Sequence, residues 1–154
     1  MNDLFSQEFY YGQIQTSFQK VGEPGPKITC SSDLAKFARE KFTIDLHLQE
    51  AFYAFPVNRT NSILGHILVS IGGVSGTVVD PKILFSRILQ YPGVSGFIVA
   101  HNHPSGNMTP SRQDIDITNK LKKGGELLDL RLLDHIILSP ENSTYYSFAD
   151  EATL

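Results

Sequence analysis

Two histidines stand one residue apart in the stretch "VAHNHPSGNMTPSRQDIDIT" (residues 99–118), at the end of an apolar run and just before a turn rich in Pro and Gly. An extended strand throws residues i and i+2 onto one face, so His101 and His103 present two imidazoles side by side. Ser111 follows eight residues after His103, and Asp114 three further on, where the pattern predicts the start of a helix. On that helix Asp114, Ile117 and Leu121 fall at i, i+3 and i+7. The carboxylate then shares the apolar face that packs onto the sheet and points back toward the histidines. Two imidazoles and a carboxylate, with a fourth position for water, are the ligand set of a catalytic zinc site. Ser111-x-x-Asp114 also reads as a capping box, in which the serine caps the helix and the acid reaches back to the cap N–H. The joint pattern H-x-H-x7-S-x2-D is much rarer than either half, and it favours the metal.

The elements that must position these residues follow an α/β pattern. Residues 8–20, "EFYYGQIQTSFQK", mix aromatics with Gln, Thr and Ser and read as a strand-like extension, ended by the breaker cluster "VGEPGPK". Phe9, Tyr10, Tyr11 and Phe18 are too many aromatics to leave in water, so this segment is expected to pack on the domain or on a second copy of it, as in a homodimer. Helical spacing of Leu34, Phe37, Ala38 and Phe42 behind two serines predicts a first helix over 32–43. "EAFYAFPVNRTNSILGHILVS" reads as two strands joined by the turn "NRTN", with Pro56 marking an edge or a bulge. "DPKILFSRILQ" reads as a second helix capped by Asp80 with Pro81 at its first position. "SGFIVAHNH" is a central strand covered on both faces. A helix over 110–123 stopped by Gly124-Gly125, a strand at "RLLDHIILS" and the ending "TYYSFAD" complete a mixed β-sheet flanked by helices.

Composition bounds the function. The chain has 154 residues, 41% of them hydrophobic and 19% charged, which suits one ordinary globular domain. Thirteen basic against 16 acidic residues leave a net charge of −3, and "KLKK" at 120–123 is the densest basic run. Nucleic acid is not supported by that charge, and "KLKK" reads as a solvated helix face. The single cysteine, Cys30, excludes an internal disulfide framework and reads as a small buried thiol rather than a ligand. No leader pattern and no apolar stretch near the ~18 residues of a membrane span appear, so the expected setting is cytoplasmic, with no membrane partner. His47 and His66 have no ligand partner at useful spacing. Asp134-His135 lies on a strand that is a neighbour of His101 in the expected sheet; it reads either as an orienting pair or as a structural one.

"AHNHPSG" followed by "PSRQDID" closely resembles the RadC-like branch of the JAB/MPN, or JAMM, metalloprotease family. The resemblance extends through "PKITCSSDLAKF", "NRTNSILG", "SIGGVSGTVVDPK", "LLDHIIL" and "YYSFAD", about residues 26 to 150. It implies a cytidine-deaminase-like α/β fold over a domain at 26–154 that follows an N-terminal extension at 1–25. It further implies a zinc-dependent hydrolase acting on a peptide or protein substrate, with zinc held by His101, His103 and Asp114. The family's upstream acidic residue falls on Glu50, which becomes the general base, and its motif serine falls on Ser111, whose hydroxyl either donates to the developing oxyanion or caps the helix. Full-length members are similar in joining a helix-hairpin-helix domain to this one. The first 25 residues have no room for such a domain, and the expected form is a short stand-alone one. The alternative is a DNA-repair-associated accessory protein with a structural or vestigial metal site, which the charge balance disfavours. A zinc nucleoside deaminase needs H-x-E and P-C-x-x-C, and one cysteine cannot supply them.

Overall fold

The apolar run at 96–102 lies at the centre of a five-stranded sheet, where its continuous burial requires cover on both faces. The structure is a computed structural model that describes residues 13, 15–72, 78–141 and 143–154. Among these, the strands are β1 (Ala51–Val57), β2 (Ile67–Ile71), β3 (Gly96–Asn102), β4 (Arg131–Leu138) and β5 (Tyr145–Ser147). The helices are α1 (Ser31–Lys41), α2 (Pro81–Ile88) and α3 (Arg112–Leu127). The sheet order is β2-β1-β3-β4-β5; β3 and β4 run parallel and every other pair is antiparallel, which makes the mixed α/β sheet the sequence predicts.

Alternation along the strands divides the core in two. Tyr53, Phe55, Ile98, Ala100 and Ile136 meet Leu34, Ala35 and Ala38 of α1. Phe52, Ala54, Phe97 and Val99 turn the other way, onto Leu84 and Ile88 of α2 and Leu121 of α3. Each fully buried large apolar side chain in these layers contributes about 1.5–3 kcal/mol. His101 follows Phe97 and Val99 in period and so faces the α3 side. The "NRTN" turn forms as expected, with Asn61 N–H donating to the Asn58 carbonyl at 3.0 Å and Asn58 Oδ1 accepting from Thr60 and Ser62 N–H. Asp80 caps α2 through Lys82 N–H, with Pro81 at the first position.

Several expectations are corrected. α1 begins one residue early, with Cys30 at the N-cap; its thiol contacts Ser32 Oγ at 3.1 Å but makes no cap bond to the helix backbone, and Ser31 bonds Tyr145 and Asp150. Cys30 is exposed, because a cap position lies outside the helix face that packs. Pro56 lies inside β1, between β2 and β3, rather than at an edge. N–H and C=O of a strand residue point to one side, and the Pro56 carbonyl accepts from Leu64 N–H at 2.8 Å, so its missing donor faces the 63–66 segment and costs the β3 ladder nothing. α3 runs through Gly124 and Gly125 to Leu127. These glycines serve close packing: a Cβ on Gly125 would stand 2.3 Å from the Leu130 carbonyl oxygen and 2.9 Å from the Phe97 ring. Of the strand-like stretch at 8–20, residues 8–12 and 14 lie outside the described residues, and residues 15–20 form no strand. That segment is exposed chain with Phe18 edge-on to Tyr91, their ring centroids 6.0 Å apart.

Candidate metal centre

Parallel pairing of β3 with β4 brings the C-terminal ends of the two strands to the same edge of the sheet, and the chain turns there through Pro104 into α3. His101 is the penultimate residue of β3 and fully buried, while His103 lies just beyond the strand, half-buried. α3 starts with both halves of the capping box in place. Ser111 Oγ accepts from Asp114 N–H at 3.1 Å, and Asp114 Oδ2 accepts from Ser111 N–H and Oγ–H at 2.6 Å each. The cap holds the Asp114 carboxylate against the strand end, with Thr118 and Leu121 buried on the same helix face.

Three side chains from two elements converge as the spacing predicts. His101 Nε2 is 2.9 Å from His103 Nε2 and 3.1 Å from Asp114 Oδ1, and His103 Nε2 is 3.4 Å from Asp114 Oδ2. Donors held about 2.0–2.1 Å from a tetrahedral zinc stand about 3.3 Å apart, so these gaps fit one zinc-sized ion. His103 Nδ1 donates to the Asn107 carbonyl at 2.6 Å, which leaves Nε2 as the lone-pair nitrogen of a neutral ring. Burial pushes the Asp114 pKa up, but its contacts with the two imidazoles and the hydrogen bonds from Ser111 outweigh it and hold the carboxyl far below its ordinary range. Burial likewise lowers His103, and the Asp114 hydrogen bond, the Asn107 carbonyl and the charges of Asp114 and Glu50 outweigh it, so His103 is raised. Among the described residues, these three are the group of His, Cys, Asp and Glu whose donor atoms cluster.

Glu50 immediately precedes β1. Phe52 pairs directly with His101, and their rings stack with centroids 5.8 Å apart. Counting back two residues puts Glu50 on the same face, opposite His103, whose ring feels its charge. Glu50 stands outside the clustered donors.

Three residues that the sequence reading left unassigned or open complete the surroundings. Asn102, fully buried, turns to the other face and ties down the segment that carries Glu50: Oδ1 accepts from Ala51 N–H at 2.9 Å, and Nδ2 donates to the Leu46 and Gln49 carbonyls. His135 Nε2 meets His101 Nδ1 at 2.8 Å, and His135 Nδ1 meets Thr118 Oγ1 at 2.6 Å. Of the Asp134-His135 pair, only His135 touches the site. Asp134 accepts from Ser147, Ala149 and its own neighbour's N–H, closing the β4–β5 corner. Thr118 was legible only as a hydroxyl four residues after Asp114 on an otherwise apolar helix face, and Asn102 only as a polar residue inside a buried strand.

The model of the RadC-like JAB domain family matches residues 28–153. Similar relatives include the UPF0758 protein of Flavobacterium johnsoniae, 42% identical over 102 residues, which are 66% of this chain and 43% of that one. The UPF0758 proteins of Syntrophotalea carbinolica and Methanosarcina mazei are 36% and 37% identical over 131 residues, 85% of this chain and 56% and 55% of theirs. The chain spans about half the length of these curated relatives. With the match covering every strand and helix described above, the chain belongs to the family of RadC-like JAB domains.

Proposed function

We propose that this JAB domain is a zinc-dependent hydrolase of the JAMM type that cleaves a peptide, isopeptide or related amide bond in a peptide or protein substrate. The observation that carries the reading is the convergence of His101, His103 and Asp114, three lone-pair donors spaced for one ion, at the C-terminal end of a parallel strand pair. Zinc held there would polarise the scissile carbonyl and bring the pKa of a water toward 7. Glu50, on the face of the histidines but apart from the clustered donors, takes the water's proton and returns it to the leaving amine. Asn102 is a positioning residue for this base, because it fixes the backbone on both sides of Glu50. Ser111 enters as the residue that holds Asp114. Its one hydroxyl proton lies on Asp114 Oδ2, so donation to an oxyanion would first require that bond to break. A cytoplasmic setting belongs to the same reading, since a lone cysteine gives the fold no disulfide framework.

The test is zinc content and hydrolysis side by side, on a panel of peptide and isopeptide substrates. Glu50→Gln should keep its zinc and lose about 10²- to 10⁴-fold in rate, whereas Asp114→Asn should lose both. A Glu50 variant that loses zinc or turns over at the wild-type rate removes Glu50 from the role. A zinc-loaded wild type that cleaves nothing on the panel contradicts the hydrolase.

A further inference from the structure

His101 is held from behind by a second imidazole, and the direction of every proton in that contact can be worked out from one hydroxyl. Thr118 Oγ1 lies 2.5 Å from the Asp114 carbonyl oxygen, which can only accept, so the single hydroxyl proton points there. In its other contact, at 2.6 Å, Thr118 Oγ1 is therefore the acceptor, and the donor is His135 Nδ1–H. His135 is fully buried, stacked on Phe148 with centroids 4.8 Å apart and edge-on to Phe52, an environment that keeps the ring neutral. With its proton on Nδ1, its Nε2 is bare and accepts from His101 Nδ1–H at 2.8 Å. His101 then carries its proton away from the cluster and turns a lone pair on Nε2 toward His103 and Asp114.

We propose that Thr118 and His135 are positioning residues that fix the tautomer of His101, so that Nε2 is presented as a ligand before any ion arrives. This rests on the metal-centre reading above. The relay starts on the backbone carbonyl of Asp114 and ends on the ring of His101, so it ties the ligand supplied by α3 to the ligand supplied by β3. The usual partner of a metal-bound histidine is a carboxylate, carbonyl or water. Here it is a neutral ring backed by a hydroxyl, which leaves Asp114 as the one negative charge among the three ligands. Such a set leaves a bound dication with net positive charge, as a Lewis acid needs.

Two measurements test the relay. Long-range proton–nitrogen correlation spectra of the ¹⁵N-labelled, metal-free protein are recorded at about pH 8.5, some two units above the ordinary histidine value. They should show Nδ1 protonated on both His101 and His135 and Nε2 of His135 bare. A His101 ring protonated on Nε2 with a bare Nδ1 overturns the proposal. Zinc affinity, read by competition with a chelating dye, should fall about 10- to 100-fold in Thr118→Val and stay near wild type in Thr118→Ser. Wild-type affinity in Thr118→Val overturns it as well, and if that variant does not fold the wild-type spectra decide. A wild type that binds no zinc refutes the metal centre itself, while the metal-free spectra still report the tautomer.

Discussion

Asn102 sits between the two histidines in sequence and behind them in space, and it is where stability and positioning meet. Its amide makes three bonds at zero exposure, to Ala51 N–H and to the Leu46 and Gln49 carbonyls. The reverse amide orientation would face a donor with a donor and two carbonyls with an acceptor, so the network itself assigns it. Asn102→Ala should cost about 1–3 kcal/mol in denaturant unfolding, because the Ala51 N–H it leaves without a partner is buried. Zinc content should be kept, since neither histidine is touched. Unfolding at the wild-type midpoint would show that the amide holds nothing down. Strand and helix periodicity alone placed His101, His103 and Asp114 on converging faces. Asn102, His135 and Thr118 were harder to read because their partners are more than 15 residues away or on another element, and periodicity says only which way a side chain points.

α3 shows how a helix can carry both a site and a packing constraint. Its N-terminus gives the capping box that presents Asp114, and its last turns give two glycines, Gly124 against Phe85 of α2 and Gly125 against Leu130 and Phe97 at the sheet. Glycine is a poor helix former, which is why the Gly-Gly pair reads as a stop in sequence; the close approach to Leu130 and Phe97 overrides propensity. Gly125→Ala would gain about 1 kcal/mol of helix propensity but would place a Cβ 2.3 Å from a backbone oxygen, and relieving such overpacking typically costs about 1–3 kcal/mol. The expected result is a lowered denaturation midpoint; a raised one would mean that α3 can shift freely. Pro56 is the same lesson in a strand. Composition marks it as a breaker, yet its orientation within β1 spares the β3 ladder.

At the scale of the whole molecule, the site's buried imidazole couples stability to pH. Burial holds His135 well below its ordinary pKa of about 6.5. Below that pH the unfolded chain binds a proton that the folded chain does not, so His135 lowers stability as the pH falls, by up to about 1.4 kcal/mol per unit. His103 acts in the opposite sense. Its folded value is raised above 6.5, so it adds stability that is fully present below pH 6.5 and is lost as the pH rises through the raised value. Comparing metal-free wild type with His135→Gln between pH 7 and 5 isolates the first effect: the variant should lose less stability across that range, and parallel profiles would contradict a buried neutral His135. The two-layer core and mixed sheet were legible from apolar runs and helix caps, because those signals are local. The exposed path of residues 15–20 was not, because aromatic content says that a segment will pack and not against what. Elemental analysis of zinc in the purified wild type and in His103→Ala tests the metal centre itself. The expected result is near one zinc per chain in the wild type and a clear loss in the variant; equal zinc in the two proteins, or none in either, would contradict the metal centre built from His101, His103 and Asp114.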